Sequence, residues 1–229
     1  MVLVVNGIIM EKTVLLLGST GLIGSMILNQ LLGDTSYSKI IVLVRKKQKF
    51  QHPKIVEIIT DFKSVIDLSS FNKIDSVFSC LGTTRKKTPD LKLYKKIEVD
   101  IPLEIAKRCL NKGLEKFHYI SAIGANENSS NFYLKMKGEA EVALKQSVIP
   151  VLNIYQPSLL IGNRKEKRLA EDLGAKIYPF INLFLLGSLS KYKAIKANKL
   201  AEAMIEIDKQ IVQKSVDIFT YDDILKNTK

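Results

Sequence analysis

The chain has no tryptophan, and only two cysteines and two histidines among its 229 residues. Cys80 and Cys109 form no Cys-x-x-Cys pair, and His52 and His118 complete no ligand set. Neither a disulfide framework nor a metal site is therefore indicated. The expected compartment is reducing, and a cytoplasmic location is the expectation. Long apolar runs are missing as well. The longest, at 14–17, 181–186 and 1–5, fall far short of the roughly 20 residues needed to cross a bilayer, so no transmembrane segment is expected. Residues 1–9 lack a positive n-region and a small-residue cleavage pattern, which disfavours a secretory signal. They read either as an extension upstream of Met10 or as a short extra strand. Arginine is scarce too, at five of the 35 cationic residues. A formal net charge of +12 invites a polyanion reading. The lysines are scattered without aromatic interleaving, however, whereas base and phosphate readers favour the planar fork of arginine. No nucleic-acid partner is expected, and the lysine-rich surface favours an anionic cofactor.

What is present is enough apolar residue, 46% of the chain, for one sizeable core. We expect a single domain over residues 10–229. Short β-branched runs at 13–17, 40–44, 54–60, 76–79, 117–121 and 151–155 alternate with segments of helical period, the signature of βαβ units. One helix is expected at 22–32, closed by Gly33-Asp34. Another is expected at 91–111, where Val99, Leu103, Ala106 and Leu110 fall at helical spacing and Pro102 either kinks it or occupies a first-turn position. Right-handed crossovers between six such units give an α/β fold with a doubly wound, mostly parallel sheet, whose ligand crevice lies beyond the carboxyl ends of the strands. A basic stretch at 162–168 and an apolar one at 178–186 place a substrate-side loop and flap at 162–192, with a short amphipathic membrane contact as the alternative.

The first strand ends in Gly18-Ser19-Thr20-Gly21-Leu22-Ile23-Gly24 and opens a helix. Such a turn gathers free backbone N–H groups and the positive end of a helix at one place, which suits a pyrophosphate. Gly18 permits the tight turn, Gly21 a close phosphate approach, and Gly24 close packing of helix on sheet. The spacing is one residue longer in its first gap than the usual dinucleotide fingerprint. The second strand ends in Arg45, Lys46 and Lys47, where an NAD-specific fold would place an acid for the ribose hydroxyls. A guanidinium pairs a 2'-phosphate in bidentate fashion, so Arg45, backed by Lys46, favours NADP(H) over NAD(H). Asp61 and Phe62 follow the third strand within reach of the adenine edge.

Tyr133 and Lys137 stand four residues apart, on one helix face. A phenol with a pKa near 10 exchanges protons poorly at neutral pH. Lowering that value by about three units takes roughly 4 kcal/mol of phenolate stabilisation, much of which an adjacent ammonium in a dry site can supply. Tyr192 and Lys196 have the same spacing, but only Tyr133 follows a strand that ends in a serine, Ser121.

Three segments carry a family resemblance: Leu-Leu-Gly-Ser-Thr-Gly-Leu-Ile-Gly ending at Gly24, Cys-Leu-Gly-Thr-Thr-Arg beginning at Cys80, and Ser-Ser-Asn-Phe-Tyr-Leu-Lys-Met-Lys-Gly-Glu beginning at Ser129. With Gln-Pro-Ser-Leu-Leu at the exit of the sixth strand, the chain resembles the atypical branch of the short-chain dehydrogenase/reductase superfamily. Within it the likeness is to the HIV-Tat-interacting oxidoreductase-like and nucleoside-diphosphate-sugar epimerase-like proteins. The resemblance implies a Rossmann fold holding NADP(H), with Ser121, Tyr133 and Lys137 as catalytic groups. It also implies that Cys80, Leu81, Gly82 and Thr83 lie along the cofactor and that Pro157, Leu159 and Leu160 border the nicotinamide. Two departures stand out: Ala122 replaces a frequent second serine, and Gln156 a common arginine.

These features lead to an NADP(H)-dependent oxidoreductase acting on a small carbonyl or alcohol substrate. An NADPH-binding regulatory protein with little or no catalysis is the alternative. A nucleotide-sugar epimerase comes third, because the chain beyond residue 155 is short for so large a substrate. Neither the substrate nor the oligomeric state is encoded in a recognisable motif.

Overall fold

The computed structural model describes residues 4–5, 8–9, 11–62, 64, 66–162, 185–211 and 213–228. Most of the predicted loop and flap, residues 163–184, lies outside them. Near the start, β1 (Val4–Val5) and β2 (Ile8–Ile9) pair antiparallel. The βα succession then begins with β3 (Lys12–Leu17), α1 (Leu22–Gly33), β4 (Tyr37–Val44), β5 (Ile55–Ile59) and β6 (Ser76–Ser79). A broken helix follows: α2 (Leu91–Lys95), a π-helical turn over Lys96–Asp100, and α3 (Ile101–Leu110). Next come β7 (Lys116–Ile120), α4 (Phe132–Lys145), β8 (Val151–Tyr155) and β9 (Leu160–Ile161). Beyond the undescribed stretch are a 3-10 helix (Gly187–Tyr192), β10 (Ile195–Lys196), α5 (Ala197–Lys209), β11 (Ser215–Phe219) and α6 (Tyr221–Lys226).

Seven strands form one parallel sheet in the order β11-β8-β7-β6-β3-β4-β5. The six predicted strands are all in it, and β11 is a seventh that the sequence reading did not find. Both faces of the sheet are covered, which explains why β3 reads as an unbroken apolar run. Leu15 and Leu17 join the core beneath α3 and α4, while Val14 and Leu16 join the core beneath α1 and α5.

The predicted helix at 91–111 is real in extent but not in phase. Its π turn inserts residues into the helical repeat, and the buried positions of α3 become Ile101, Pro102, Ile105, Ala106 and Cys109, with Leu103 and Leu110 only half-buried. Pro102 sits in the first turn of α3, where its missing N–H costs no helical bond.

At the amino-terminal edge of the sheet, one carboxylate organises the strand starts. Asp208 of α5, fully buried, accepts from Lys12 Nζ (2.8 Å), Tyr37 OH (2.8 Å) and Ser76 Oγ (2.5 Å), and its Oδ1 lies 3.1 Å from His118 Nε2. The other ring nitrogen of His118 bonds the Tyr155 hydroxyl at 2.9 Å. Burial alone would raise the Asp208 carboxyl, but the His118 hydrogen bond and the Lys12 charge outweigh it and hold it well below the usual carboxylate range.

Candidate functional site

At the opposite, carboxyl edge, strand order reverses between β3 and β6, whose following helices lie on opposite faces of the sheet, and this is the place where such folds hold a ligand. The glycine turn occupies it. Gly18 has φ +78°, and a Cβ there would stand 2.6 Å from the Cys80 carbonyl oxygen. At Gly24 a Cβ would stand 2.1 Å from the Gly18 oxygen, so α1 meets the turn at a distance only glycine allows. The turn is closed by Gly21 N–H donating to Gly18 O at 2.9 Å. The amino end of α1 carries no side-chain cap and no acidic residue in its first turn. Ser19 is buried, and its hydroxyl has no hydrogen-bond partner among the described residues. An uncapped helix end on a turn too tightly packed for side chains, together with an orphaned hydroxyl, fits a pyrophosphate.

The other cofactor-side residues spread around this turn. Arg45, Lys46 and Lys47 are exposed just past β4. Beyond β5, Asp61 is exposed and accepts from Ser64 N–H at 3.3 Å. Phe62 adopts φ +57° and donates its N–H to Thr60 Oγ1 at 3.0 Å. Cys80 N–H bonds the Leu17 carbonyl at 3.0 Å, so the loop containing Leu81, Gly82 and Thr83 starts beside Gly18. Desolvation pushes the Cys80 thiol upward, with the Lys137 charge a smaller opposing influence. On the far side of the turn, β9 pairs with β10, and a Cβ at Gly162 would stand 3.0 Å from Leu22 Cδ1. The exit through Pro157, Leu159 and Leu160 is thereby held next to the helix start.

Tyr133 and Lys137 lie on α4, whose first turn is capped by Asn131 Oδ1 accepting from Tyr133 and Leu134 N–H. A Cβ on Gly138 would stand 2.2 Å from the backbone of Asn126 and Glu127, so this glycine lets the loop after β7 lie against α4. Tyr133 is half-buried, whereas Lys137 is 4% exposed. The Lys137 ammonium donates to Ile120 O at 2.8 Å and Tyr119 OH at 3.4 Å, and lies 2.9 Å from Glu98 Oε2. Desolvation works against its charge. Glu98, with smaller influences from Tyr119 and Tyr133, reverses the balance and holds the ammonium above the usual lysine range.

Ser121 directly follows β7, and its hydroxyl is engaged by another residue of α4. It is 2% exposed, and its Oγ donates to Glu141 Oε1 at 2.5 Å. Gln156, at a position where the resemblance leads one to expect arginine, donates to the same oxygen at 2.7 Å. Neighbouring Ala122 is buried. The structure therefore brings Tyr133, Lys137, the glycine turn and the loop after Cys80 to one sheet edge, while the serine hydroxyl is engaged inside. The second Tyr-x-x-x-Lys pair dissolves: Tyr192 ends the 3-10 helix and Lys196 lies on β10, so no helix face joins them.

Two buried acids, Glu98 and Glu141, escaped the sequence reading. A signal existed for each. Glu98 directly precedes an inward-facing Val99, and Glu141 stands four residues after Lys137, on the helix face that had been assigned to the site.

Comparison with known proteins places this geometry. Rat Protein HTATIP2 is 30% identical over 172 residues, covering 73% of this chain and 71% of its own. Protein FMP52-1, mitochondrial, from Scheffersomyces stipitis is 33% identical over 181 residues, covering 72% and 75%. Among solved structures, the UDP-N-acetylglucosamine 4-epimerase from Methanobrevibacter ruminantium M1, in complex with UDP-N-acetylmuramic acid, superposes with TM-score 0.65. It has 18% identity over 92% of this chain and 76% of its own, and it supports the Rossmann-like fold alone. The fungal names correct the expected cytoplasmic location, since they designate mitochondrial proteins. Sparse, unpaired cysteines bear on redox state and not on which membrane encloses a protein. No helix among the described residues is long and apolar enough to cross a membrane. The profile of one family matches residues 14–178, well over half the chain: this protein belongs to the NAD dependent epimerase/dehydratase family.

Proposed function

We propose that the chain is an NADP(H)-binding oxidoreductase of the atypical short-chain dehydrogenase/reductase type, acting on a small carbonyl or alcohol. The observation that carries this reading is the convergence of the Tyr133–Lys137 pair and an uncapped glycine turn at the strand-order reversal. In this reading the backbone from Ser19 to Gly24 holds the pyrophosphate, and the Ser19 hydroxyl finds its partner there. Arg45 and Lys46, exposed beyond β4, take the 2'-phosphate, which is the basis for preferring NADP(H) to NAD(H). Asp61 and Phe62 flank the adenine, and the segments Cys80 to Thr83 and Pro157 to Leu160 border the ribose and nicotinamide. When bound, the nicotinamide supplies or accepts the hydride at C4. Lys137 donates to the ribose hydroxyls, and Tyr133 passes a proton to or from the substrate oxygen. Ser121 fixes Glu141, which also accepts from Gln156, rather than holding substrate. The names of the fungal relatives favour a mitochondrial setting for this chemistry.

The test is Tyr133→Phe, assayed by loss of reduced-nicotinamide absorbance across a panel of aldehydes and ketones. Turnover is expected to fall by about two orders of magnitude or more, with NADPH affinity nearly unchanged. Wild-type rates in the variant, on a substrate the wild type turns over, would contradict the proposal. One observation favours a second reading, a protein that binds NADPH to regulate a partner: the Ser121 hydroxyl is engaged by Glu141, and residue 122 is alanine. Tight NADPH binding with no turnover across the panel is its expected result.

A further inference from the structure

Glu98 has no part in the reading above, yet it is 1% exposed and touches three pieces of the site. Its Oε1 accepts from Thr83 N–H at 2.6 Å, in the loop after β6. Its Oε2 stands 2.9 Å from Lys137 Nζ as an ion-pair partner, with no aligned hydrogen bond among the described residues. Its backbone oxygen accepts from Tyr119 OH at 3.2 Å. It reaches all three from the π-helical turn that separates α2 from α3, where Ile101 N–H bonds the carbonyl of Lys96, five residues back. Such turns interrupt a better hydrogen-bonding pattern and recur at functional sites. A buried ion pair is, moreover, a poor source of stability compared with apolar packing, so its presence points to a use for the charge.

We propose that Glu98 is a positioning residue that acts through Lys137: its carboxylate keeps the buried ammonium charged and aimed at the sheet edge, and its bond from Thr83 ties that ammonium to the cofactor-side loop. The proposal rests on the reading that Lys137 binds the cofactor ribose. The groups facing Lys137 are Glu98 from the π turn, Tyr119 and the Ile120 carbonyl from β7, Tyr133 from α4, and Cys80 from the loop after β6. Of these only Glu98 carries a formal negative charge at neutral pH. Without it, desolvation favours the neutral amine, and Lys137 loses its proton as the medium turns alkaline.

The experiment is an NADPH titration of the full chain, followed by nucleotide fluorescence between about pH 7.5 and 9.5, a window chosen to lie below the ordinary lysine range. Wild type, E98Q and E98Q/K137M are compared. Wild-type affinity is expected to vary less than about twofold, because Lys137 stays charged throughout. E98Q keeps the acceptor for Thr83 but not the charge, and is expected to lose affinity by about tenfold as pH rises, the scale of a lost hydrogen bond from a charged group. E98Q/K137M is expected to bind weakly at every pH. An E98Q profile as flat as that of wild type, with the double variant weak, overturns the proposal and leaves Lys137 as a ribose ligand. Equal affinity in all three proteins removes the ribose role of Lys137 and the proposal with it. Should E98Q fail to fold, recovery of a cooperative melt in E98Q/K137M supports the charge pairing, and a double variant that also fails to fold overturns it.

Discussion

Arg45 and Gly24 show how much single residues can reveal before any contact is known. The chemistry of each is local: Arg45 stands just past β4, where the proposed function puts a 2'-phosphate, and a missing side chain at Gly24 is required by a carbonyl oxygen 2.1 Å from where its Cβ would be. Arg45→Asp is expected to lower the ratio of NADPH to NADH affinity by at least about tenfold, measured by parallel titrations with the two nucleotides. An unchanged ratio would remove Arg45 from the 2'-phosphate. Gly24→Ala is expected to abolish detectable nucleotide binding in the same titration, since backbone atoms rather than a yielding side chain stand in the way. Ser121 was not legible in this manner. Its position after β7 was plain, but the direction of its hydroxyl depends on Glu141, twenty residues onward, and on Gln156, thirty-five residues onward. Hydrophobic pattern and motif spacing do not encode which distant acceptor a buried hydroxyl will find.

Helices and strands were legible where their period was regular. β3, β4 and β6 to β8 are covered on both faces and read as short apolar runs, whereas the Asn131 cap of α4 was not read from the sequence. Asn131→Ala is expected to cost about 1 kcal/mol, read from the urea midpoint, because two N–H groups lose their acceptor. The π turn and β11 were missed for physical reasons. A π insertion shifts the buried stripe without changing composition, so a regular helical period assigns Leu103 inward where Ile105 and Cys109 belong. β11 is an edge strand in which Val216 and Ile218 remain exposed, and its alternation lacks the contrast of a half-buried strand.

Across the whole molecule, the two edges of the sheet divide the work. The carboxyl edge carries the candidate site, and the amino edge carries the Asp208 network that binds β3, β4, β6 and β7 to α5. Asp208→Ala would remove the carboxylate that Tyr37, Ser76 and His118 meet, and would leave Lys12 only the backbone oxygen of residue 208. It is expected to cost about 3–5 kcal/mol in equilibrium denaturation, the range for breaking a buried charged network. A pH dependence follows from the same cluster. Burial, only partly offset by Asp208, holds the His118 pKa below its ordinary 6.5, so the folded protein keeps this ring neutral at pH values where the unfolded chain takes up a proton. This contribution to stability is fully present above about pH 6.5 and is lost as the pH falls toward the folded value. Asp208, shifted below its ordinary 3.8, adds a further loss only at much lower pH. The melting temperature is expected to drop on going from neutral pH to about pH 5, with a shallower drop in His118→Gln. Equal slopes would assign the effect elsewhere. This long-range network was invisible in the sequence because its members lie on five separate elements, joined only by folding.

The central claim is that the glycine turn and the Tyr133–Lys137 pair serve one nucleotide. The most direct test is a crystal structure of the chain with NADPH. The pyrophosphate is expected against the N–H groups of the Gly18–Gly24 turn, the 2'-phosphate against Arg45, and the nicotinamide C4 facing the Tyr133 hydroxyl. A nucleotide bound elsewhere, or a nicotinamide directed away from Tyr133, would contradict the claim.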